Sequence, residues 1–311
     1  MSSDFANRLA KNWRHRQRWA ARIGVTAFRV YDRDIPEHPL AVDIYDDHAH
    51  ISEYPRRKAI RSGTETQRAT HQAAIVEALG IPSERQHWKT HLPAGVLGGQ
   101  YERRAHRNER FVVEEQGLRF WVNLEDFLDT GLFLDHRNTR AKVRSEAKAQ
   151  RFLNLYGYTG SFSVYAGAGG AATTTTVDLS ETYLDWAREN FVLNKLAGRA
   201  HAFVREDAAQ FLQRAAASSF DLIVLDPPSF STSRNMKGDL DIQRDHPKLL
   251  VEALRVLSPS GVLYFSTNRF GFEWRAKNLD ATVEELTPAS IPEDFTRKDS
   301  HRCWRIVKQR G

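Results

Sequence analysis

The segment Asp226-Pro227-Pro228-Ser229-Phe230, directly after the apolar run Phe220–Leu225, carries the sharpest chemical signal in the chain. A run of that composition reads as a strand buried on both faces. Two prolines behind it fix the backbone and remove two amide donors. Carbonyl oxygens there can face a planar substrate, and Asp226 adds a carboxylate at the same point. Phe230 can stack on a base, a contact worth roughly 1–3 kcal/mol in nucleic-acid binders. The same residues also fit a rigid strand-to-loop turn with a buried phenylalanine. Repetition favours chemistry. Gly157-Tyr158-Thr159-Gly160 follows the run Phe152–Tyr156, Asp178 follows the β-branched run Thr173–Val177, and Asp207 follows Ala202–Val204. A carboxylate 18 residues beyond Gly160 suits a ribose diol, because it accepts two hydroxyl hydrogen bonds.

Those runs alternate with helical stretches at Phe162–Ala168, Glu181–Asn194 (Ser180 as N-cap), Asp207–Ala217 and Asp239–Leu257, and are followed by strands at Gly261–Ser266 and Trp304–Val307. The pattern predicts an α/β fold, a doubly wound Rossmann-like sheet whose ligands bind beyond the strands' carboxyl ends. The first turn is not the G-x-G-x-x-G that holds a pyrophosphate, and no G-x-x-x-x-G-K-[ST] occurs. Gly167-x-Gly169-Gly170 falls at the far end of the first helix and reads as a helix stop. A nucleoside cofactor without phosphates fits better, and S-adenosyl-L-methionine is the common one.

A smaller α+β region precedes this sheet. Residues 5–23 form an amphipathic helix, with Phe5, Leu9, Trp13, Ala20 and Ile23 on one face and Arg8, Lys11, His15, Arg18 and Arg22 on another. The basic face suits nucleic-acid phosphates, the solvated side of a docked helix, or a membrane surface. Strands are expected at Ala27–Tyr31, Leu40–Tyr45 and His48–Tyr54, and a helix at residues 64–79. Residues 91–110, with Arg103, Arg104 and Arg107, read as a basic loop or linker. The expected division is 1–108, an RNA-binding accessory domain, and 109–311, the catalytic domain.

The 311 residues are 41% hydrophobic and 27% charged, enough apolar material for a real core. The net charge of +6 sits entirely in the first thirty residues; beyond them 38 basic and 38 acidic residues cancel. No run is long enough to span a bilayer and no secretory signal is recognised, so a cytoplasmic protein without membrane partners is expected. The single cysteine, Cys303, excludes an intramolecular disulfide. It is expected on a late strand away from the strand-end cleft, which makes cytosine-C5 chemistry through a cysteine nucleophile a weak reading. The twelve histidines show no metal-ligand spacing, so no metal is expected.

Five stretches carry a resemblance: WVNLEDFLDTGLFLDHR (121–137), FLNLYGYTGS (152–161), TTTTVDLSETYLDWARENF (173–191), FDLIVLDPPSFSTSRNM (220–236) and DIQRDH (241–246). From Phe5 onward the chain resembles the K domain of the bacterial 23S rRNA methyltransferase K/L family, a class I methyltransferase that modifies guanine N7. It is similar to a stand-alone version, without the THUMP and guanine-N2 methyltransferase half. The resemblance implies that S-adenosyl-L-methionine is held by Asn154, Tyr156, Tyr158, Thr159 and Gly160, with Asp178 at the ribose hydroxyls, Asp207 at the adenine amino group, and Leu179, Ser180 and Ala208 also contacting the cofactor. It implies that Phe133, Asp135, His136 and Arg137 cover the cofactor. Asp226 would stand between methyl donor and base, and Pro227, Pro228 and Phe230 would shape the base pocket. Arg137 is a candidate for the cofactor's carboxylate, with a structural ion pair as the alternative, and His136 could equally be a core hydrogen-bonder. Two segments depart from the family's pattern: Ser266-Thr267-Asn268-Arg269 replaces an Asn-Asn pair after the fifth strand, and Lys298-Asp299-Ser300 precedes His301. The expected partner is 23S rRNA or its large-subunit precursor. Methylation of an exocyclic nitrogen (N2-guanine or N6-adenine) and a non-catalytic RNA-binding role remain the alternatives.

Overall fold

The computed structural model describes residues 4–54, 64–91, 109–196, 198–232 and 238–310. The chain divides into two units, Met1–Leu134 with Glu293–Arg297, and Asp135–Pro292 with Lys298–Gly311.

The first unit contains α1 (Asp4–Ile23), β1 (Ala27–Asp32), β2 (Leu40–Tyr45), β3 (His48–Glu53), α2 (Thr64–Leu79), β4 (Gln86–Thr90), β5 (Phe111–Glu115) and β6 (Leu118–Val122). Its sheet runs β1-β2-β3-β4, antiparallel except for β4, which lies parallel to β3. Phe5, Leu9, Trp19 and Ala20 of α1 and Ile75 and Leu79 of α2 pack with Phe28, Val30, Val42, Ile44, Ala49 and Ile51. The apolar face of α1 is thereby covered by its own sheet, which removes the membrane-surface reading. Strand residues of the opposite parity include buried polar ones among Ala27, Ala41 and Tyr45: Arg29 forks onto Asp43 at 2.7 and 2.9 Å, and His50 and Ser52 are buried. β5 and β6 close through Gln116 and Gly117, both at positive φ, as a tight hairpin requires.

The second unit comprises α3 (Arg137–Glu146), β7 (Arg151–Leu155), α4 (Ser161–Ala168), β8 (Thr173–Asp178), α5 (Glu181–Leu193), β9 (His201–Arg205), α6 (Ala208–Arg214), β10 (Phe220–Leu225), β11 (Phe230–Ser231), β12 (Leu240–Asp241), α7 (Ile242–Val256), β13 (Leu257–Thr267), β14 (Ala281–Glu285), α8 (Thr287–Ser290) and β15 (Arg302–Lys308). Seven strands form one sheet in the order β14-β15-β13-β10-β7-β8-β9. The five central and β9-side strands are parallel, and β15 runs antiparallel to both its neighbours. This is the expected doubly wound sheet. The chain steps outward from β7 through β9 and then returns to β10, so the strand order reverses between β7 and β10. A crevice for a ligand opens at such a switch point.

Both faces of the sheet are covered at its centre, which is why β7, β10 and the second half of β13 carry apolar runs. Leu153, Leu155, Ile223, Leu225 and Phe265 pack with Phe211, Leu212, Leu249 and Leu250 on one side. Phe152, Leu222, Val224 and Tyr264 pack with Val143, Phe162 and Ala166 on the other. The glycines after α4 act as the expected stop. Gly169 caps the helix so close to α3 that a Cβ there would lie 2.3 Å from the Arg144 carbonyl oxygen. Among the described residues no helix is long and apolar enough to cross a membrane.

Candidate active site

Asp226 follows the last residue of β10, and two side chains hold its carboxylate. The Ser266 hydroxyl, near the end of neighbouring β13, donates to Oδ1 at 2.6 Å. His136 Nε2 lies 3.4 Å from Oδ2. Burial pushes the His136 imidazole below its ordinary range, against the opposing pull of Asp226 and Asp135. The His136 ring stacks on His301 at 4.4 Å and 16°. His301 in turn meets Asp135 through Nδ1 (3.0 Å) and Ser290 through Nε2 (2.9 Å). Two histidine–carboxylate pairs therefore lie side by side.

Asp135, His136 and His301 form a group whose ligand atoms all lie within 4.8 Å of one another, a His/carboxylate cluster that sequence spacing did not reveal. Both His301 nitrogens have protein partners, whereas His136 Nδ1 is buried without one. Ser266 is hydrogen-bonded to Asp226, and His136, stacked on His301, stands beside it.

Cys303 lies closer to this centre than expected, since it pairs with Ser266 across β13 and β15. It is fully buried, 4.0 Å from the Thr139 hydroxyl, and burial pushes its thiol up to about 12. No useful thiolate forms near neutral pH, so it is no nucleophile.

After β10, Pro227 is buried and Pro228 half-buried, while Phe230 is 53% exposed. The reading of this segment as a turn around a buried phenylalanine is thereby excluded.

The turn after β7 is equally constrained. Tyr156, Tyr158 and Gly160 all have positive φ, and Gly157 donates to the Val177 carbonyl at 2.9 Å. A Cβ on Gly160 would stand 2.7 Å from Ala187 Cβ, and one on Gly157 2.4 Å from Thr176 Cγ2, so the turn presses against its neighbours. Asp178 Oδ2 accepts from Tyr158 N and Oδ1 from Ser180 N, each at 2.9 Å. Burial raises the Asp178 pKa and these amides oppose the rise. Its remaining lone pairs can accept further bonds. Ser180 caps α5 through Tyr183 N at 3.3 Å, and the Leu179 carbonyl accepts from Arg205. Asp207 caps α6 through Gln210 N at 3.0 Å, with buried Ala208 next to it.

Asn154 and Thr159 are more internal than expected. Asn154 donates to Ser163 Oγ at 3.0 Å, and the Thr159 carbonyl accepts from Asn190 at 2.9 Å. Arg137 opens α3 and is 1% exposed. Phe133 belongs to the first unit and is 41% exposed. Tyr156 and Asp207 line a cavity of about 220 Å³ together with Leu240, Arg244 and Asp245. The Tyr156 hydroxyl is buried without a partner, and burial holds its pKa well above the usual phenol range. Ser266 and His301 were noted in the sequence only as departures or neighbours of departures. Ser266, near the end of β13, and His301, just before β15, come to Asp226 and its neighbour His136 through the sheet pairing.

In the first unit, Lys11, Arg18 and Arg22 point to solvent from α1, and Arg8 lies 3.6 Å from Asp34. Arg103, Arg104 and Arg107 lie outside the described residues.

A seven-stranded sheet of this order, with a glycine turn after the first strand and acids at the ends of the next ones, is that of S-adenosylmethionine-dependent methyltransferases. The family model of that description matches residues 104–282. Ribosomal RNA large subunit methyltransferase K of Neisseria meningitidis is 48% identical over 306 residues, 97% of this chain and 86% of that one. Ribosomal RNA large subunit methyltransferase K/L of Hahella chejuensis is 46% identical over 97% of this chain but only 42% of its own length. A crystal structure of SMU.776, a methyltransferase complexed with SAH, superposes with a TM-score of 0.73 at 24% identity, covering 97% of this chain and 81% of that one. The chain belongs to the S-adenosylmethionine-dependent methyltransferases, in the branch of the large-subunit methyltransferases K and K/L. It is an enzyme whose cofactor is S-adenosylmethionine.

Proposed function

We propose that the enzyme methylates guanine N7 in 23S rRNA or its large-subunit precursor, in the bacterial cytoplasm. The observation that carries this reading is Asp226, fixed by Ser266 and His136 beside an exposed Phe230, in a chain whose relatives are named for large-subunit rRNA.

The residues after β7, β8 and β9 fit the cofactor. The buried Tyr156 hydroxyl lacks a partner, Asp178 keeps free lone pairs, and the turn is fixed by glycines at 157 and 160, where a Cβ would meet Thr176 and Ala187. Tyr156, Tyr158, Thr159 and Gly160 would hold the methionine side, with Asn154 supporting the turn from beneath. Asp178, Leu179 and Ser180 would hold the ribose, and Asp207 and Ala208 the adenine. Asp135, His136 and Arg137 would close over them. S-adenosylmethionine supplies an electrophilic methyl on a sulfonium.

Guanine N7 has an exposed lone pair and no proton to lose, so the protein's task is placement and tolerance of the cation formed. Pro227, Pro228 and Phe230 orient the base, and the Asp226 carboxylate faces the developing positive charge. N7 in an RNA duplex lies in a deep, narrow groove, so the target guanine must be unstacked. Arg8, Lys11, Arg18 and Arg22, with Arg103, Arg104 and Arg107, would grip flanking phosphates. In this reading 1–108 serves RNA and 109–311 serves chemistry.

Incubation with labelled cofactor and unmodified, protein-free 23S rRNA, followed by mass spectrometry of nucleosides, tests the proposal. The expected product is 7-methylguanosine. An N2-methylguanosine or N6-methyladenosine product would replace it with the exocyclic alternative.

A further inference from the structure

Phe270 is 98% exposed, the most exposed large apolar side chain among the described residues. It sits just beyond Thr267, the last residue of β13, at the same end of the sheet as Asp226. A phenylalanine in water contributes nothing to folding, and a single one on a slack loop would mean little. This loop is pinned on both sides. The Ser229 hydroxyl, next to Phe230, donates to Asn268 Oδ1 at 2.8 Å. Arg269 pairs with Asp241 at 2.9 Å, and its amide donates to Thr267 Oγ1. Phe272 N donates to the Arg269 carbonyl at 3.3 Å, closing a turn in which Gly271 takes φ +69°. The Phe272 ring is buried 4.7 Å from His246 and 5.4 Å from Trp304. The turn therefore holds one apolar ring out while burying its neighbour but one.

An aromatic ring on a fixed turn loses little freedom on binding and offers a π-face to a flat partner. The Ser229–Asn268 bond ties that turn to the loop carrying Phe230, also exposed. On the reading of an RNA substrate with an unstacked target, the adjoining base loses one stacking neighbour. We infer that Phe270 stacks on the nucleobase next to the methylated one, so that the enzyme grips at least two successive unpaired nucleotides. The inference rests on the RNA reading above and adds a subsite to it.

The test uses the full chain with Phe270→Ala, Phe270→Leu and Phe270→Trp, assayed on protein-free 23S rRNA. Phe270→Ala should raise KM for RNA roughly tenfold, the size of one base–aromatic stack, with kcat within about twofold. Cofactor affinity and thermal midpoint should stay unchanged, because the side chain touches neither cofactor nor core. Phe270→Leu should resemble Phe270→Ala, and Phe270→Trp should restore wild-type KM. Replacement of Phe270 by the photoreactive p-benzoylphenylalanine should cross-link to RNA within one or two nucleotides of the methylated position. An unchanged KM in Phe270→Ala overturns the inference while leaving the RNA reading intact. Full rescue by Phe270→Leu also overturns it, pointing to a plain apolar contact such as a protein partner would make. Absence of both methyl transfer and cross-linking by otherwise intact protein overturns the inference and the RNA reading together.

Discussion

The two sheets of this chain bury their residues in opposite styles. In the seven-stranded sheet, Phe152 and Leu153 point to opposite faces and both meet apolar cores. In the four-stranded sheet, Ile51 meets an apolar core, while its neighbours His50 and Ser52 are buried among polar groups. One sheet is held by apolar packing from both sides; the other is packed on one side and buries polar and charged side chains, His50, Ser52 and the Arg29–Asp43 pair, on the other. The first style makes a rigid platform from whose strand ends Asp178, Asp207 and Asp226 project. The second makes a unit whose stability depends on protonation.

Core truncations test this contrast most strongly. Phe152→Ala and Leu153→Ala should each cost about 2–5 kcal/mol in denaturant unfolding. Ile51→Ala should fall in the same range. Ser52→Ala, which loses only a bond with His91 (3.2 Å), should cost about 0.5–1.5 kcal/mol. Equal losses at Ile51 and Ser52 would break the comparison.

Acid should separate the units next. Burial, reinforced by His91, Lys89 and His87, lowers the His50 pKa to about 3, and burial with His38 nearby lowers His71 to about 4. Both are depressed below the unfolded imidazole value of about 6.5, so the unfolded chain binds more protons as pH falls. The stability these neutral rings contribute is fully present above about 6.5 and is lost as pH falls through the folded values. For His50 the loss is on the order of a few kcal/mol. His50→Leu should flatten the acid limb of a stability–pH curve for the first unit. A curve unchanged by that substitution would contradict the account.

Smaller effects concern the support of Asp226. His136→Ala and Ser266→Ala should each lower kcat about tenfold, with cofactor affinity less affected for Ser266→Ala. The smallest belongs to α1: Lys11→Glu with Arg18→Glu should reduce the slope of log K for RNA against log salt by about one to two. An unchanged slope would leave α1 as a solvated helix only.

Legibility followed the same contrast. β7 and β10 are legible because strands covered on both faces carry apolar runs, β8 because its threonines and valine are β-branched, and the acids behind β8 and β10 are readable as strand-end residues. β4, with the sequence Gln86-His87-Trp88-Lys89-Thr90, was not readable, because its polar residues are buried against polar partners. β14, exposed along most of Ala281–Glu285, lacks an apolar signature and is defined by pairing with β15. α3 is a basic helix whose burial depends on the tertiary fold. The support of Asp226 joins His136 to His301 and Ser266, residues that only the sheet brings together.

The central claim is a division of labour among the strand-end acids: Asp178 holds the cofactor and Asp226 serves the base. Calorimetric titration of S-adenosylmethionine into Asp178→Ala and Asp226→Ala, alongside methyl transfer to 23S rRNA, tests it directly. The account predicts that Asp178→Ala loses cofactor affinity by about tenfold or more. Asp226→Ala should bind cofactor nearly as the wild type does and lose about a hundredfold in turnover. Near-full turnover in Asp226→Ala, or wild-type cofactor affinity in Asp178→Ala, would contradict it.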